Sequence, residues 1–171
     1  MIPRVRFTVA LMSILASLAI AGGADAQASR FVGAWKLVSF VGPDATGATQ
    51  PRWGPNPPGL IVYMSDGTMA AQLYDDRRKI AEALPAARDT TSARTVLDGM
   101  ASYFGTFTVD TAKRLVTHHV EGAYRPEWAG HDLVRSYRFL GANRLELRVV
   151  VNADGKPVAN GGVLTWERIR R

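Results

Sequence analysis

The sequence predicts a mainly β protein, an eight-stranded antiparallel up-and-down barrel with one helix inserted between the third and fourth strands. Several short segments alternate apolar and polar residues, most clearly Arg144–Val151, and Gly, Pro and Asp turns separate them. Eight such strands form either a sandwich or a barrel. The opening strand carries Gly33 and Trp35 on the same side, so that the ring fills one end and the glycine leaves room for a neighbouring segment. This pair favours the barrel.

The first 26 residues predict a secretory signal peptide that is cut after Ala26. Arg4 and Arg6 precede an apolar run from Val9 to Ala21, and an Ala-x-Ala sequence ends the segment. The alternative is a membrane anchor, but the run is shorter than the roughly 17–25 residues that span a bilayer. We therefore expect a secreted or periplasmic protein with no stable membrane span after cleavage. Residues 27–171 form the barrel domain.

The predicted strands follow one another mostly as hairpins. A Gly- and Pro-rich loop over residues 42–59 separates the first two strands, and Asp66-Gly67 joins the second to the third as a tight turn. The eight predicted strands are Arg30–Phe40, Leu60–Met64, Thr68–Tyr74, Thr106–Val109, Arg114–Glu121, Leu133–Leu140, Arg144–Val151 and Val163–Ile169.

A helix is predicted over residues 92–104. Val96, Leu97, Met100, Tyr103 and Phe104 recur at helical spacing. Thr91 or Ser92 is a suitable N-cap, and Gly105 is expected to end the helix.

Charge and composition exclude several classes of function. The net charge is +6, but the arginines are spread through the strands instead of forming one basic patch. An exported protein also meets little nucleic acid, so nucleic acid is not expected as a partner. The absence of cysteine means that packing and strand pairing alone hold the fold. The sequence contains no nucleophile elbow and no phosphate-binding glycine loop, so no cofactor is expected. Nothing in the sequence indicates the oligomeric state.

Several motifs resemble the bacterial lipocalin-like domain family, which is related to the calycins. The first strand, Phe31–Ser39, resembles that family's opening strand, and Gly59–Gly67, Val116–Gly122 and Leu164–Arg168 follow in the same order. The resemblance implies a barrel open at one end that binds small apolar or amphipathic molecules. It also implies that a basic residue near the end of the last strand, Arg168 or Arg170, packs over Trp35.

His118 and His119 are adjacent on one strand and therefore point to opposite faces. Val116 and Val120 share the side of His118, so we expect His118 to point inward, as a satisfied core residue, a ligand anchor or an acid–base group. A metal site would require His131 or Asp132 to join His119 and Glu121, and nothing in the spacing selects it.

Arg135 lies among apolar residues on one face of its strand and therefore needs a partner. We expect Glu121 as a structural partner, or a ligand carboxylate or carbonyl inside the barrel. Aromatic side chains are further candidates for the cavity wall, although aromatic residues on strands also form ordinary core. The predicted ligand-binding residues are Tyr63, Tyr103, His118, His119, Trp128, Arg135 and Tyr137.

Two functions are consistent with these features. The first is an exported barrel that binds a small hydrophobic or amphipathic molecule. The second is a cofactor-free enzyme on the same barrel, a cyclase, isomerase or hydrolase, in which a histidine acts as acid or base and Arg135 or a tyrosine polarises a carbonyl. No residue is assigned a catalytic role.

Overall fold

The computed structural model describes residues 27–77, 97–152 and 154–170. The predicted signal peptide and residues 92–96 of the predicted helix lie outside these ranges. The described residues form nine antiparallel strands, namely β1 (Gly33–Pro43), β2 (Thr49–Pro51), β3 (Gly59–Tyr63), β4 (Thr68–Tyr74), β5 (Met100–Asp110), β6 (Leu115–Ala123), β7 (Asp132–Phe139), β8 (Arg144–Val151) and β9 (Val163–Arg168).

Eight of these strands close into an up-and-down barrel. From β3 to β9 each strand pairs with the next, β1 pairs with β3, and β9 pairs back with β1. The short strand β2 pairs only with the end of β1, within the loop predicted over residues 42–59. Closure leaves no free edge among the eight strands and gives each of them one face directed toward the interior. The predicted barrel is confirmed.

Trp35 closes one end of the barrel, as predicted from its position beside Gly33. Trp35 is 0% exposed, and its indole N–H donates to the carbonyl oxygen of Phe31 at 2.7 Å. The guanidinium carbon of Arg168 lies 4.0 Å from the centre of the Trp35 ring, a cation–π contact. Gly33 has φ +126°, and a Cβ atom there would lie 2.8 Å from Nη1 of Arg168. Glycine is therefore favoured at this position by its positive φ, and it leaves room for the Arg168 guanidinium group over Trp35.

An aromatic cluster lies beside Trp35 at this closed end. The Phe31 ring is fully buried and makes edge-to-face contacts with Tyr63, Tyr137 and Phe139, with ring centres 4.9–5.4 Å apart. Such pairs contribute about 0.5–1.5 kcal/mol each beyond their burial. The cluster makes this end of the interior a packed core, and the space inside the barrel lies toward the other end.

The predicted helix is wrong for residues 100–104, which belong to β5. Seven residues of β4, Thr68 to Tyr74, pair in register with β5 from Thr106 back to Met100. Without that partner the backbone groups along one edge of β4 would remain unpaired, and pairing with β5 therefore outweighs the local helical spacing. Of the described residues in this region, only Leu97 and Asp98 are helical. Gly105 lies within β5 instead of ending a helix, at a point where a side chain would collide with the carbonyl oxygen of His119.

The described strand connections differ in length between the two ends. Short hairpin turns, such as residues 64–67 and 140–143, lie at the end that Trp35 closes. The longer described connections, residues 124–131 and 154–162, lie at the other end. Among the described residues, no helix has the length and apolar character needed to cross a membrane.

Candidate ligand-binding site

The barrel contains a cavity of about 740 Å³ that opens to the surface. This volume is within the roughly 300–1,000 Å³ that is usual for small-molecule sites. Its walls come from the inward faces of the strands, where successive apolar residues alternate with outward-facing ones. The apolar lining includes Ile61, Leu73, Leu133, Leu147, Leu164 and Trp166. The cavity therefore offers a largely apolar surface in which an apolar molecule loses contact with water.

The outer part of the lining is polar and reaches the surface. Exposed Asp98 and Glu127 line the cavity together with Arg125. The guanidinium group of Arg125 is 2.6 Å from the carboxylate of Asp98 and 3.6 Å from that of Glu127. Arg125 also donates to the Tyr124 hydroxyl at 2.6 Å. The positive charge of Arg125 is therefore paired by carboxylates of the protein itself.

His118 lies at the floor of the cavity between two tyrosine hydroxyls. It is 1% exposed, with Nε2 2.8 Å from the Tyr63 hydroxyl and Nδ1 3.0 Å from the Tyr103 hydroxyl. These residues come from β3, β5 and β6, and the barrel register brings them together. Tyr103 and His118 line the cavity, while Tyr63 lies beneath it against the aromatic cluster.

The electrostatics of the floor keep His118 neutral. Burial lowers the pKa of His118 well below its ordinary value, and the positive charge of Arg135 and the neighbouring His119 side chain lower this pKa further. Burial likewise raises the pKa of both Tyr63 and Tyr103, with Arg135 opposing the rise. At neutral pH the floor therefore consists of an uncharged imidazole and two protonated phenols.

Arg135 brings a positive charge to this otherwise neutral floor. Its Nη1 donates to the backbone carbonyl oxygens of Val134 at 3.0 Å and Val151 at 3.2 Å. No carboxylate of the described residues pairs with it. Burial lowers the pKa of Arg135, with Tyr103 and Tyr63 opposing, yet a guanidinium remains protonated in proteins. A charge held among carbonyl groups alone is only partly compensated.

The predicted pairing of Arg135 with Glu121 is wrong. Arg135 on β7 is in register with Val116 on β6, five positions before Glu121. Glu121 is exposed, and because it lies two positions after His119 on the same strand, it points to the same outer face of the barrel. The distance along the strand and the opposite face both prevent contact with the interior of the barrel.

The predicted site residues divide into three groups. Tyr103, His118, Trp128 and Arg135 line the cavity. Tyr63 and Tyr137 are buried at 1% and 6% exposure, and both contact Phe31 at the closed end instead of lining the cavity. His119 lies on the outer face of the barrel.

His119 forms a chain of contacts on that outer face. Its Nδ1 is 2.7 Å from the Asp132 carboxylate and its Nε2 is 2.9 Å from the Thr108 hydroxyl. This order of groups matches a nucleophile–histidine–acid triad. However, the three residues do not line the cavity, and a triad needs a site that holds a substrate. We interpret the chain as cross-strand pairing. Among the described residues, no cluster of three potential metal-ligating side chains is found.

Trp166 is a cavity residue that the sequence did not single out as part of a site. It lies on β9 opposite Leu37 and Leu145, is 1% exposed and lines the cavity. Its indole N–H has no hydrogen-bond partner among the described residues. Trp166 and the lining residue Leu164 are two positions apart on β9 and therefore point to the same side of the strand. This alternation could have placed Trp166 on the cavity wall.

The comparison with protein families agrees with this geometry. The family model described as the lipocalin-like domain matches residues 32–169, from the start of β1 to the end of β9. The chain belongs to the lipocalin-like domain family. The resemblance found in the sequence motifs is thereby confirmed, and lipocalin-like barrels as a class indicate binding of small molecules.

No curated protein matches the chain. Among solved structures, the chain is similar to a redesigned β-barrel at 12% sequence identity with a TM-score of 0.43, over 84% of this chain and 95% of the other.

Proposed function

We propose that this lipocalin-like protein binds a small hydrophobic or amphipathic molecule inside its barrel. The observation that carries the proposal is the 740 Å³ cavity, in which apolar walls surround a few hydrogen-bonding groups at the floor. Apolar walls supply affinity, and a small number of fixed polar groups supply orientation. In this interpretation Tyr103 and Arg135 receive the polar end of the ligand, and His118 holds the Tyr103 hydroxyl in place. Trp128 lies on the cavity wall.

We also propose that the protein is exported. The basic start, the short apolar run and the Ala-x-Ala end of residues 1–26 support a cleaved signal peptide and a secreted or periplasmic location. N-terminal sequencing of the protein purified from its own host tests this proposal. We expect Gln27 as the first residue, and a protein that retains Met1 would contradict it.

Titration with a neutral apolar fluorophore, N-phenyl-1-naphthylamine, tests the binding function. Ala101 lines the cavity from β5, and the adjacent Ser102 belongs to the opposite, outer face of the same strand. We expect Ala101→Phe to reduce the affinity for the fluorophore at least about tenfold, because the added ring occupies the cavity. The matched control Ser102→Phe is expected to bind as the wild type does. Equal binding by both variants would show that the fluorophore does not enter the barrel.

A cofactor-free enzyme is the second candidate, because a histidine, a tyrosine and an arginine converge in one cavity. However, each ring nitrogen of His118 is within hydrogen-bond distance of a tyrosine hydroxyl, so the imidazole has no nitrogen free for a bound molecule. Binding is therefore the function that the contacts support better.

A further inference from the structure

We propose that the cavity selects an amphipathic molecule with one carboxylate, which is bound by Arg135 and the hydroxyl of Tyr103. This inference rests on the proposed binding function and specifies its ligand class. Both side chains have hydrogen-bond donors that no described residue engages.

Arg135 has unused donors next to the cavity. A guanidinium group has five N–H donors, and the contacts of Arg135 in the described residues engage only Nη1. Nε and Nη2 thus remain available on a side chain that lines the cavity. Two adjacent N–H groups of arginine match the two oxygens of a carboxylate.

The hydroxyl of Tyr103 is a further donor, because the tyrosines and His118 are linked in one direction. Neutral His118 has one N–H group and one acceptor nitrogen, so one tyrosine donates to the ring and the other accepts from it. Tyr63 is 1% exposed and has no other acceptor among the described residues. A buried hydroxyl hydrogen without an acceptor is unfavourable, so Tyr63 donates to Nε2. Nδ1–H then donates to Tyr103, whose own hydrogen remains free.

The hydrogen-bonding groups left free at the floor are therefore all donors, and those of Arg135 carry a positive charge. A neutral carbonyl would accept these hydrogen bonds but would leave the charge of Arg135 unpaired as the ligand displaces water. A single carboxylate satisfies both the donors and the charge. Arg125, in contrast, is already paired with Asp98 and Glu127. The charge that recognises the ligand is therefore that of Arg135.

Titration with a dansyl-labelled undecanoate and its methyl ester tests this inference directly. The two probes share the same apolar body, so the proposed function predicts that both bind. We expect wild-type protein to bind the acid at least about tenfold more tightly than the ester, because charged hydrogen bonds exceed neutral ones. Equal affinities would overturn the carboxylate inference while leaving the binding function intact. Binding of neither probe would contradict the binding function itself.

Two variants and a control locate the preference. We expect Arg135→Met to remove the preference for the acid, so that the acid and the ester bind with affinities within about twofold of each other. We expect Tyr103→Phe to weaken acid binding several-fold. Arg144→Met is the charge-matched control, because Arg144 is an exposed arginine on β8 that does not line the cavity. A full acid preference in Arg135→Met, or its loss in Arg144→Met, would overturn the assignment.

A separate measurement tests the direction of the hydrogen bonds between Tyr63, His118 and Tyr103. Nitrogen-15 NMR of the His118 ring distinguishes the two neutral tautomers. We expect the proton on Nδ1. A proton on Nε2 would overturn the role of Tyr103 as a free donor.

Discussion

Replacing Tyr63 by phenylalanine tests the buried hydrogen bond at the floor of the cavity. The change deletes one hydroxyl group, which lies 2.8 Å from His118 Nε2, and keeps the ring that packs 5.4 Å from Phe31 and 4.7 Å from Phe107. The variant therefore loses a hydrogen bond and leaves a buried ring nitrogen without a partner. We expect the free energy of unfolding to fall by about 1–3 kcal/mol.

Urea denaturation of wild type and variant measures this difference, and each kcal/mol corresponds to about 2–4 °C in melting temperature for a domain of this size. The matched control is Tyr137→Phe. Tyr137 also contacts Phe31 and is 6% exposed, but its hydroxyl has no hydrogen-bond partner among the described residues. We expect the control to lie within about 0.5 kcal/mol of wild type. Equal losses in the two variants would refute the reasoning.

Three further changes test the closed end, the buried histidine and the strand junction. Trp35→Ala is expected to lower the free energy of unfolding by about 3–5 kcal/mol in urea titrations, and a wild-type midpoint would show that the ring does not close the barrel. Because the folded-state pKa of His118 is depressed, its contribution to stability is present above pH 6.5 and is lost as the pH falls toward the folded pKa. This loss of stability, at most about 1.4 kcal/mol per pH unit, is expected to disappear in His118→Gln and to remain in the control His119→Gln. Urea denaturation at several pH values measures it, and the same dependence of stability on pH in both variants would contradict the role of His118. Gly105→Ala is expected to cost about 1–3 kcal/mol, because its Cβ would meet the backbone of β6, and an unchanged melting curve would argue against that close approach.

The barrel could be predicted from local patterns because its strands alternate and its turns are marked by Gly, Pro and Asp. Gly33 and Trp35 indicated the closed end, and the family resemblance identified Arg168 as one of two candidates for the residue over the ring. The helix prediction failed at residues 100–104 because helical spacing and strand alternation overlap in a short apolar stretch. Pairing with β4 decides the outcome there, and pairing is not visible in local sequence.

The sequence predicted which face of a strand each candidate site residue occupies, but not which residues of different strands come into contact. The alternation of side chains along a strand placed His118 on the inner face, His119 on the opposite face and Arg135 in the interior. It did not provide the register between strands. For that reason Glu121 was wrongly chosen as the partner of Arg135, and the contact of His118 with a tyrosine from β3 was not foreseen. Contacts across several strands depend on barrel closure, which a linear pattern does not specify.

Native mass spectrometry of the protein purified from its own host tests the central claim most directly. We expect wild-type protein to carry one small molecule with a carboxylate, and the cavity-filled Ala101→Phe variant to carry none. The dansyl-undecanoate complex of the wild type serves as the reference for conditions that preserve bound ligands. Wild-type protein that is free of any small molecule under those conditions, or an equally loaded Ala101→Phe variant, would contradict the account.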